Sequence, residues 1–250
     1  MLVWENKEAN LEMFSRKISK LKDATDIIVL PEMFSTGFTM NAPALAEPMN
    51  GASVEWMKQI AGKKNCVVTG SLIISENGKF YNRLIWMKPD GNYFHYDKRH
   101  LFRLAHEEQT FAPGQSRLIV EVNGWKIFPL VCFDLRFPVW SRRTKDSDYD
   151  VLLFVANWPE RRVTAWSQLL IARAIENQCY VVGLNRVGND GNDIYHSGES
   201  AIINYKGEEI SGINAHEESV ETVELHKDEL ENFRSQLPFL EDADGFTIKL

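Results

Sequence analysis

In the stretch from Pro129 to Pro138, PLVCFDLRFP, an apolar run ends on Cys132 and a charged, aromatic segment follows at once. A filler cysteine can sit anywhere in a core, whereas a reactive one needs an edge that a substrate can reach. Two further strand ends carry chemistry-bearing side chains. Glu32 follows IIVLP directly. A carboxylate at the end of a buried strand, half out of water, is a usable proton acceptor. Lys98 lies in YFHYDKRHLF, a basic cluster among aromatic residues. Taken singly, each has a bland reading: an inert core thiol, an exposed loop acid, a solvated lysine. Taken together they supply a nucleophile, a base and a cation, each where a strand gives way to a loop. In open α/β sheets ligands collect at such strand ends.

The helix-like segment after Cys132 begins near Phe137 and Pro138. A thiol facing a helix N-terminus or a nearby ammonium is expected to ionise more easily than a free one. Trp158 follows FVAN and is a candidate for lining the substrate pocket, with plain packing as the alternative. Arg136, Arg161, Arg162 and Arg186 are candidate partners for a substrate carboxylate, and structural ion pairs remain open for all four. Cys66 begins a strand and Cys179 precedes another, so both read as core residues.

The elements that must position these groups alternate along the chain. Leu11, Phe14, Ile18 and Leu21 mark one helix face, and Val54, Met57 and Ile60 mark a second. IIVL from Ile27, CVVTGSLII from Cys66, FYNRLIWMKPDG and VLLFVAN from Val151 read as strands. Asn123-Gly124 between RLIVEV and WKIFPLVCF is a hairpin signal. A long helix is expected through AWSQLLIARAIENQ, then strands at YVVGLNRVG and SAIINYKGEEI, the latter turning at Lys206-Gly207. Apolar strands separated by amphipathic helices indicate an α/β fold with sheets covered by helices, and the mixture of hairpins and crossovers indicates mixed sheets. The segment after Leu225 is acidic, and LPFLEDADGFTIKL is apolar enough to pack on a neighbouring element or a partner subunit.

Composition sets the bounds. The 250 residues are 44% hydrophobic, enough for a substantial core, and the net charge of -7 argues against a general nucleic-acid surface. No apolar run reaches membrane-spanning length, and MLVWENKEANLEMF lacks the pattern of a signal peptide. The three sparse cysteines point to reduced thiols and a cytoplasmic setting. With no CxxC and no histidine pair at ligand spacing, a structural zinc site is not expected.

LPEMFSTGF around Glu32, YDKRHLF around Lys98 and LVCFDLRFP around Cys132 resemble, in this order, the three signature segments of the nitrilase superfamily of carbon–nitrogen hydrolases. The resemblance continues through FVANWP, ARAIENQCYVVGLNRVG and HSGESAIINYKGE, where it is to the omega-amidase (2-oxoglutaramate amidase) branch. It implies a four-layer α-β-β-α sandwich and a single carbon–nitrogen hydrolase domain over residues 1–250. The family opens with a full strand where only Leu2 to Trp4 stand here, so the first strand is expected to be shortened.

The implied catalytic set is Glu32, Lys98 and Cys132, supported by Glu107, which is counted back from Pro113-Gly114 with Glu108 as the alternative. The Phe133 N–H is expected to join Lys98 in holding an oxyanion. The implied reaction converts the omega-amide of a small dicarboxylic acid monoamide, such as 2-oxoglutaramate or succinamate, to the acid and ammonia through a cysteine thioester. No metal or organic cofactor is implied, and a homodimer or higher homo-oligomer is expected. Two alternatives stay open: hydrolysis of another amide or an N-carbamoyl compound, and a non-catalytic binding protein on the same fold. A papain-like reading would need His95, His100, His106 or His196 to act, and nothing around them resembles a protease signature.

Overall fold

The computed structural model describes residues 1–22 and 24–249. Helix α1 (Lys7–Ser19) leads to strand β1 (Ile27–Val29), the one-turn α2 (Ala42–Leu45), and α3 (Ala52–Lys64). Strands β2 (Val67–Glu76), β3 (Lys79–Met87) and β4 (Tyr93–Asp97) follow, then α4 (Glu107–Thr110), β5 (Val120–Val122), β6 (Trp125–Val131) and α5 (Pro138–Ser141). The remainder is β7 (Val151–Ala156), α6 (Val163–Asn177), β8 (Tyr180–Asn185), β9 (Val187–Asn189), β10 (Tyr195–Ser197), β11 (Ala201–Ile203) and α7 (Lys227–Gln236).

The strands form two main mixed sheets. The first has the order β1-β2-β3-β4, with β1 parallel to β2 and the other pairs antiparallel. The second has the order β11-β8-β7-β6-β5; β6, β7 and β8 are parallel and both edges are antiparallel. Strands β9 and β10 pair separately. The β5–β6 hairpin turns on Asn123 (φ 48°) and Gly124 (φ 79°), the two left-handed residues of a type I′ turn.

Side-chain alternation separates the layers. In β3, Leu84 and Trp86 pack into a core shared with Phe128, Leu130 and Phe154 of the second sheet, while Ile85 and Met87 pack against α1 and α3. A strand with both faces apolar lies between two layers. On the other side, Trp166, Leu170 and Ala174 of α6 cover the second sheet. This is the four-layer α-β-β-α sandwich. Helix α1 starts on Asn6, whose side chain accepts the Ala9 N–H at 3.0 Å.

Helix α7 follows from no strong apolar pattern in the acidic segment after Leu225, yet it docks on its own chain. Leu230 is buried, and Arg234 donates to Asp150 at 2.9 Å and to the carbonyls of Tyr149 and Gln178 at 2.7 and 2.8 Å. Beyond it Ile248 packs on the core, whereas Phe239 and Phe246 stay exposed. At the N-terminus no strand precedes α1 among the described residues. Met1 and Leu2 instead border a cavity of about 560 Å³ between the sheets, together with Ile27, Leu153, Val182 and Val223.

Candidate active site

Four loop-entry positions converge. Glu32 stands just past β1, Lys98 directly follows β4, Cys132 directly follows β6, and Asn157 directly follows β7. All four line one pocket of about 520 Å³, walled also by Phe102 and Trp158. Two of the strands belong to each sheet, so the pocket exists only because the sheets face each other.

Glu32 is fully buried, and its carboxylate is held from three sides. Oε1 accepts from Lys98 Nζ at 2.9 Å and from Asn82 Nδ2 at 2.8 Å, and Oε2 accepts from the Asn157 N–H at 2.9 Å. Lys98 is equally buried and also donates to both oxygens of Glu107, at 3.1 and 2.9 Å. Glu107 Oε2 accepts a further bond from the Phe102 N–H at 2.6 Å. The carboxylate beside Lys98 is therefore that of Glu107; Glu108 makes no such contact. Gly114 follows the same loop back to the site and donates its N–H to the Lys98 carbonyl at 2.9 Å.

Cys132 sits at φ 45°, a left-handed conformation in a residue with a Cβ, where β6 passes abruptly into the 3₁₀ turn Cys132–Arg136. Asp134 braces this turn. It accepts from the Val131 N–H at 3.1 Å, from Tyr96 Oη at 2.8 Å, and from the main chain and ring Nδ1 of His100 at 3.0 and 2.8 Å. Tyr96 and His100 flank Lys98, so one buried acid ties the cysteine turn to the lysine segment. The Phe133 N–H lies in the first turn of that 3₁₀ segment, where amides have no intrahelical acceptor.

The expectation of an easily ionised thiol is not met. Burial pushes the Cys132 thiol well above its ordinary value, the Glu32 carboxylate adds to the rise, and Lys98 and the Asn157 N–H only partly oppose it. The helix after Cys132 is too short and too far along to compensate, since α5 is one turn beginning at Pro138. Burial thus favours the protonated thiol, and attack by sulfur calls for a base beside it. Burial alone would lower the Lys98 ammonium, but Glu107 and Glu32 outweigh it and hold the group protonated. Burial, with help from Glu32, raises Glu107 despite Lys98.

Trp158 does line the pocket, and it also packs: its indole N–H donates to the Arg162 carbonyl at 2.8 Å and its ring lies 5.5 Å from that of Trp166. Arg136, Arg161 and Arg162 line the same pocket. Arg136 lies over Trp158 at 4.9 Å and Arg162 over Phe102 at 5.0 Å, and none of the three has a carboxylate partner among the described residues. Arg186 is elsewhere, donating to the Asn189 carbonyl at 2.7 Å beside the other cavity. His196 borders the pocket, but its ring Nδ1 lies 3.2 Å from the Gly188 carbonyl, and His100 serves Asp134. Cys66 and Cys179 are buried in the two cores.

Asn82, Asn157 and Asp134 have no counterpart among the residues singled out from the sequence. Asn82 offered one signal, a residue depleted in strands standing inside the apolar β3. Among the described residues no group of three acidic, histidine or cysteine side chains could hold a metal ion, and no helix is long and apolar enough to cross a membrane.

The family model for carbon–nitrogen hydrolases matches residues 2–235. The chain is 45% identical to omega-amidase YafV of Escherichia coli (strain K12) over 247 residues, 99% of this chain and 95% of that protein. It is 33% identical to a 2-oxoglutaramate amidase of Bacillus subtilis (strain 168), over 92% of this chain and 88% of that one. The crystal structure of XC1258 from Xanthomonas campestris, a CN-hydrolase superfamily protein with an arsenic adduct in the active site, superposes with a TM-score of 0.96. It is 39% identical, with 99% of this chain and 96% of that chain covered.

Proposed function

The chain belongs to the carbon–nitrogen hydrolase family, in its omega-amidase branch, and from that premise we propose how its residues hydrolyse an omega-amide. The observation that carries the proposal is the meeting of Cys132, Glu32 and Lys98 on one pocket, with the Lys98 ammonium 2.9 Å from the Glu32 carboxylate. Glu32 takes the thiol proton as sulfur attacks the amide carbon, and the carbonyl electron pair moves onto oxygen. Lys98 and the Phe133 N–H hold that oxyanion. When the oxyanion collapses, the C–N bond breaks, Glu32 gives its proton to nitrogen, and ammonia leaves a thioester. Water then attacks the thioester and loses a proton to Glu32. The C–S bond breaks, the sulfur recovers the proton, and the acid departs.

The substrate we infer is a small monoamide carrying a carboxylate at its far end. Arg136, Arg161 and Arg162 support this reading, because three guanidinium groups share the pocket without an anionic partner among the described residues. A pocket whose cationic donors await a carboxylate favours a substrate that carries one over its neutral analogue. The test is kcat/KM for ammonia release. 2-Oxoglutaramate and succinamate are expected to turn over well, and butyramide poorly. Glutamine should also be poor, since its α-ammonium faces those arginines. Equal rates for butyramide and succinamate would move the activity to another amide class.

Residues 1–250 act in this reading as one catalytic domain. We also propose a homodimer, supported by the exposed Val139 on α5 and Ile175 on α6, which leave the outer helical layer partly apolar. Light scattering at micromolar concentration tests it, and a monomer mass would count against it. The three unpaired cysteines support a reducing, cytoplasmic setting.

A further inference from the structure

A lysine ammonium has three N–H bonds, and Lys98 Nζ lies within hydrogen-bond distance of three acceptors, Glu32 Oε1 and both oxygens of Glu107. The proposed reaction asks it for a fourth partner, the oxyanion. One contact must therefore be released as the tetrahedral intermediate forms. The longest is that to Glu107 Oε1, at 3.1 Å.

That oxygen has a second donor. Asn82 Nδ2 lies 3.1 Å from Glu107 Oε1 and 2.8 Å from Glu32 Oε1, so one amide group bridges the two carboxylates. Only the NH₂ end of the side chain can face two carboxylate oxygens, which fixes its orientation. Its Oδ1 is left buried with no partner among the described residues. The main chain of Asn82 joins the same network, since its carbonyl accepts the Lys98 N–H at 2.9 Å. Asn82 is buried inside β3 and does not line the pocket, so it does not touch substrate.

We propose that Asn82 is a positioning residue of the hydrolytic cycle: its amide holds Glu32 and Glu107 in place while Lys98 swings one N–H from Glu107 to the oxyanion. The inference rests on the amidase reading of the site. Without that bridge, the departing ammonium would leave Glu107 Oε1 unpaired and close to a second negative carboxylate. The groups that face Glu107 are Lys98, Glu32, Asn82 and the Phe102 N–H. Burial and Glu32 already raise this acid, so a lost donor should raise it further, and a third carboxylate more so.

The experiment compares Asn82→Ala and the isosteric Asn82→Asp with wild type, each checked for folding by its melting temperature. The expected result is a fall in kcat of about 10- to 100-fold with little change in KM. The acid limb of the kcat/KM profile should move to higher pH, further for Asn82→Asp. The rate of Cys132 alkylation by iodoacetamide should show the same displaced limb. A folded variant with wild-type limbs in both profiles would overturn the proposal, even if its melting temperature fell, because a purely structural asparagine changes stability without moving the titration. Should both variants fail to fold, Asn82→Ser is judged by the same two profiles. Alkylation proceeds without amide hydrolysis, so where wild type shows no omega-amide turnover it still reports on Asn82, and an unshifted alkylation limb then sinks the role of Asn82. Absence of omega-amide turnover in wild type sinks the amidase reading instead.

Discussion

The side-chain amide of Asn157 donates to the main-chain carbonyl of Glu32 at 2.6 Å, and the Asn157 N–H donates to the Glu32 carboxylate at 2.9 Å. The two residues are 125 positions apart and end strands of different sheets. These two hydrogen bonds tie the sheets together at the point where the pocket opens. The base is thus oriented by the sheet that carries the cysteine, so both depend on how the two sheets meet.

Cys132→Ala should abolish turnover and leave the fold intact, since the thiol makes a bond and fills little of the core. Cys132→Ser should be nearly as inactive, because a carboxylate is a poor base for an alcohol. Mass spectrometry of wild type with a slow substrate should find an acyl adduct on the peptide carrying Cys132. An adduct on Cys66 or Cys179 would move the nucleophile.

Lys98→Arg keeps the charge but should lose about two to three orders of magnitude in kcat. The ammonium is enclosed between two carboxylates and the ring of Phe38, 5.1 Å away, and a wide planar guanidinium has no room there. Activity within a few-fold of wild type would remove Lys98 from the oxyanion site.

Gly114→Ala should damage the site from behind. A Cβ built there would stand 2.0 Å from the Asp97 carbonyl oxygen, a backbone atom adjoining Lys98. The strand end or the loop must shift, at a cost of about 1–3 kcal/mol. Melting temperature and kcat should fall together. An unchanged kcat would mean that the loop yields without moving Lys98.

His196 predicts how stability responds to acid. Burial lowers its imidazole from 6.5 to about 4; Arg186 adds to the fall, and Asp190 and the Gly188 carbonyl oppose it. Above pH 6.5 neither the folded nor the unfolded chain holds the proton. Between about 6.5 and about 4 the unfolded chain binds it and the folded chain does not, so stability falls as pH falls; below about 4 the penalty is constant. The loss should reach about 3 kcal/mol at most. Thermal melts of wild type and His196→Gln from pH 7 to 4.5 should show a shallower slope in the variant. Parallel slopes would exclude His196 as the source.

The parts legible in the sequence were those that announce themselves locally. Glu32 and Cys132 each end an apolar run, Lys98 stands in a basic cluster among aromatic residues, and Asn123-Gly124 names its own turn. Asn82 was hidden because its meaning depends on register: only when β3 pairs with β4 does its carbonyl meet the Lys98 amide. Asn157 was hidden because its partner lies across a sheet interface. The environment of the Cys132 thiol is illegible in the sequence for a related reason. Spacing can place a thiol near a helix, but desolvation depends on everything packed around it. Helix α7 was missed because it needs only Leu230 and Phe233 on its inner face, too few for a periodic signal; the anchoring by Arg234 is tertiary.

The left-handed backbone at Cys132 has a consequence for how this chain can change. An L-residue held there is disfavoured by roughly 1–2 kcal/mol relative to a right-handed turn. Glycine alone escapes that penalty, so Cys132→Gly should melt above Cys132→Ala, although both are inactive. A directed-evolution campaign rewarding heat tolerance alone would drift toward glycine at this codon. One rewarding turnover could never sample it. Position 132 is thus a built-in conflict between two selection pressures, and the turn keeps its uncomfortable geometry because that geometry aims a sulfur atom.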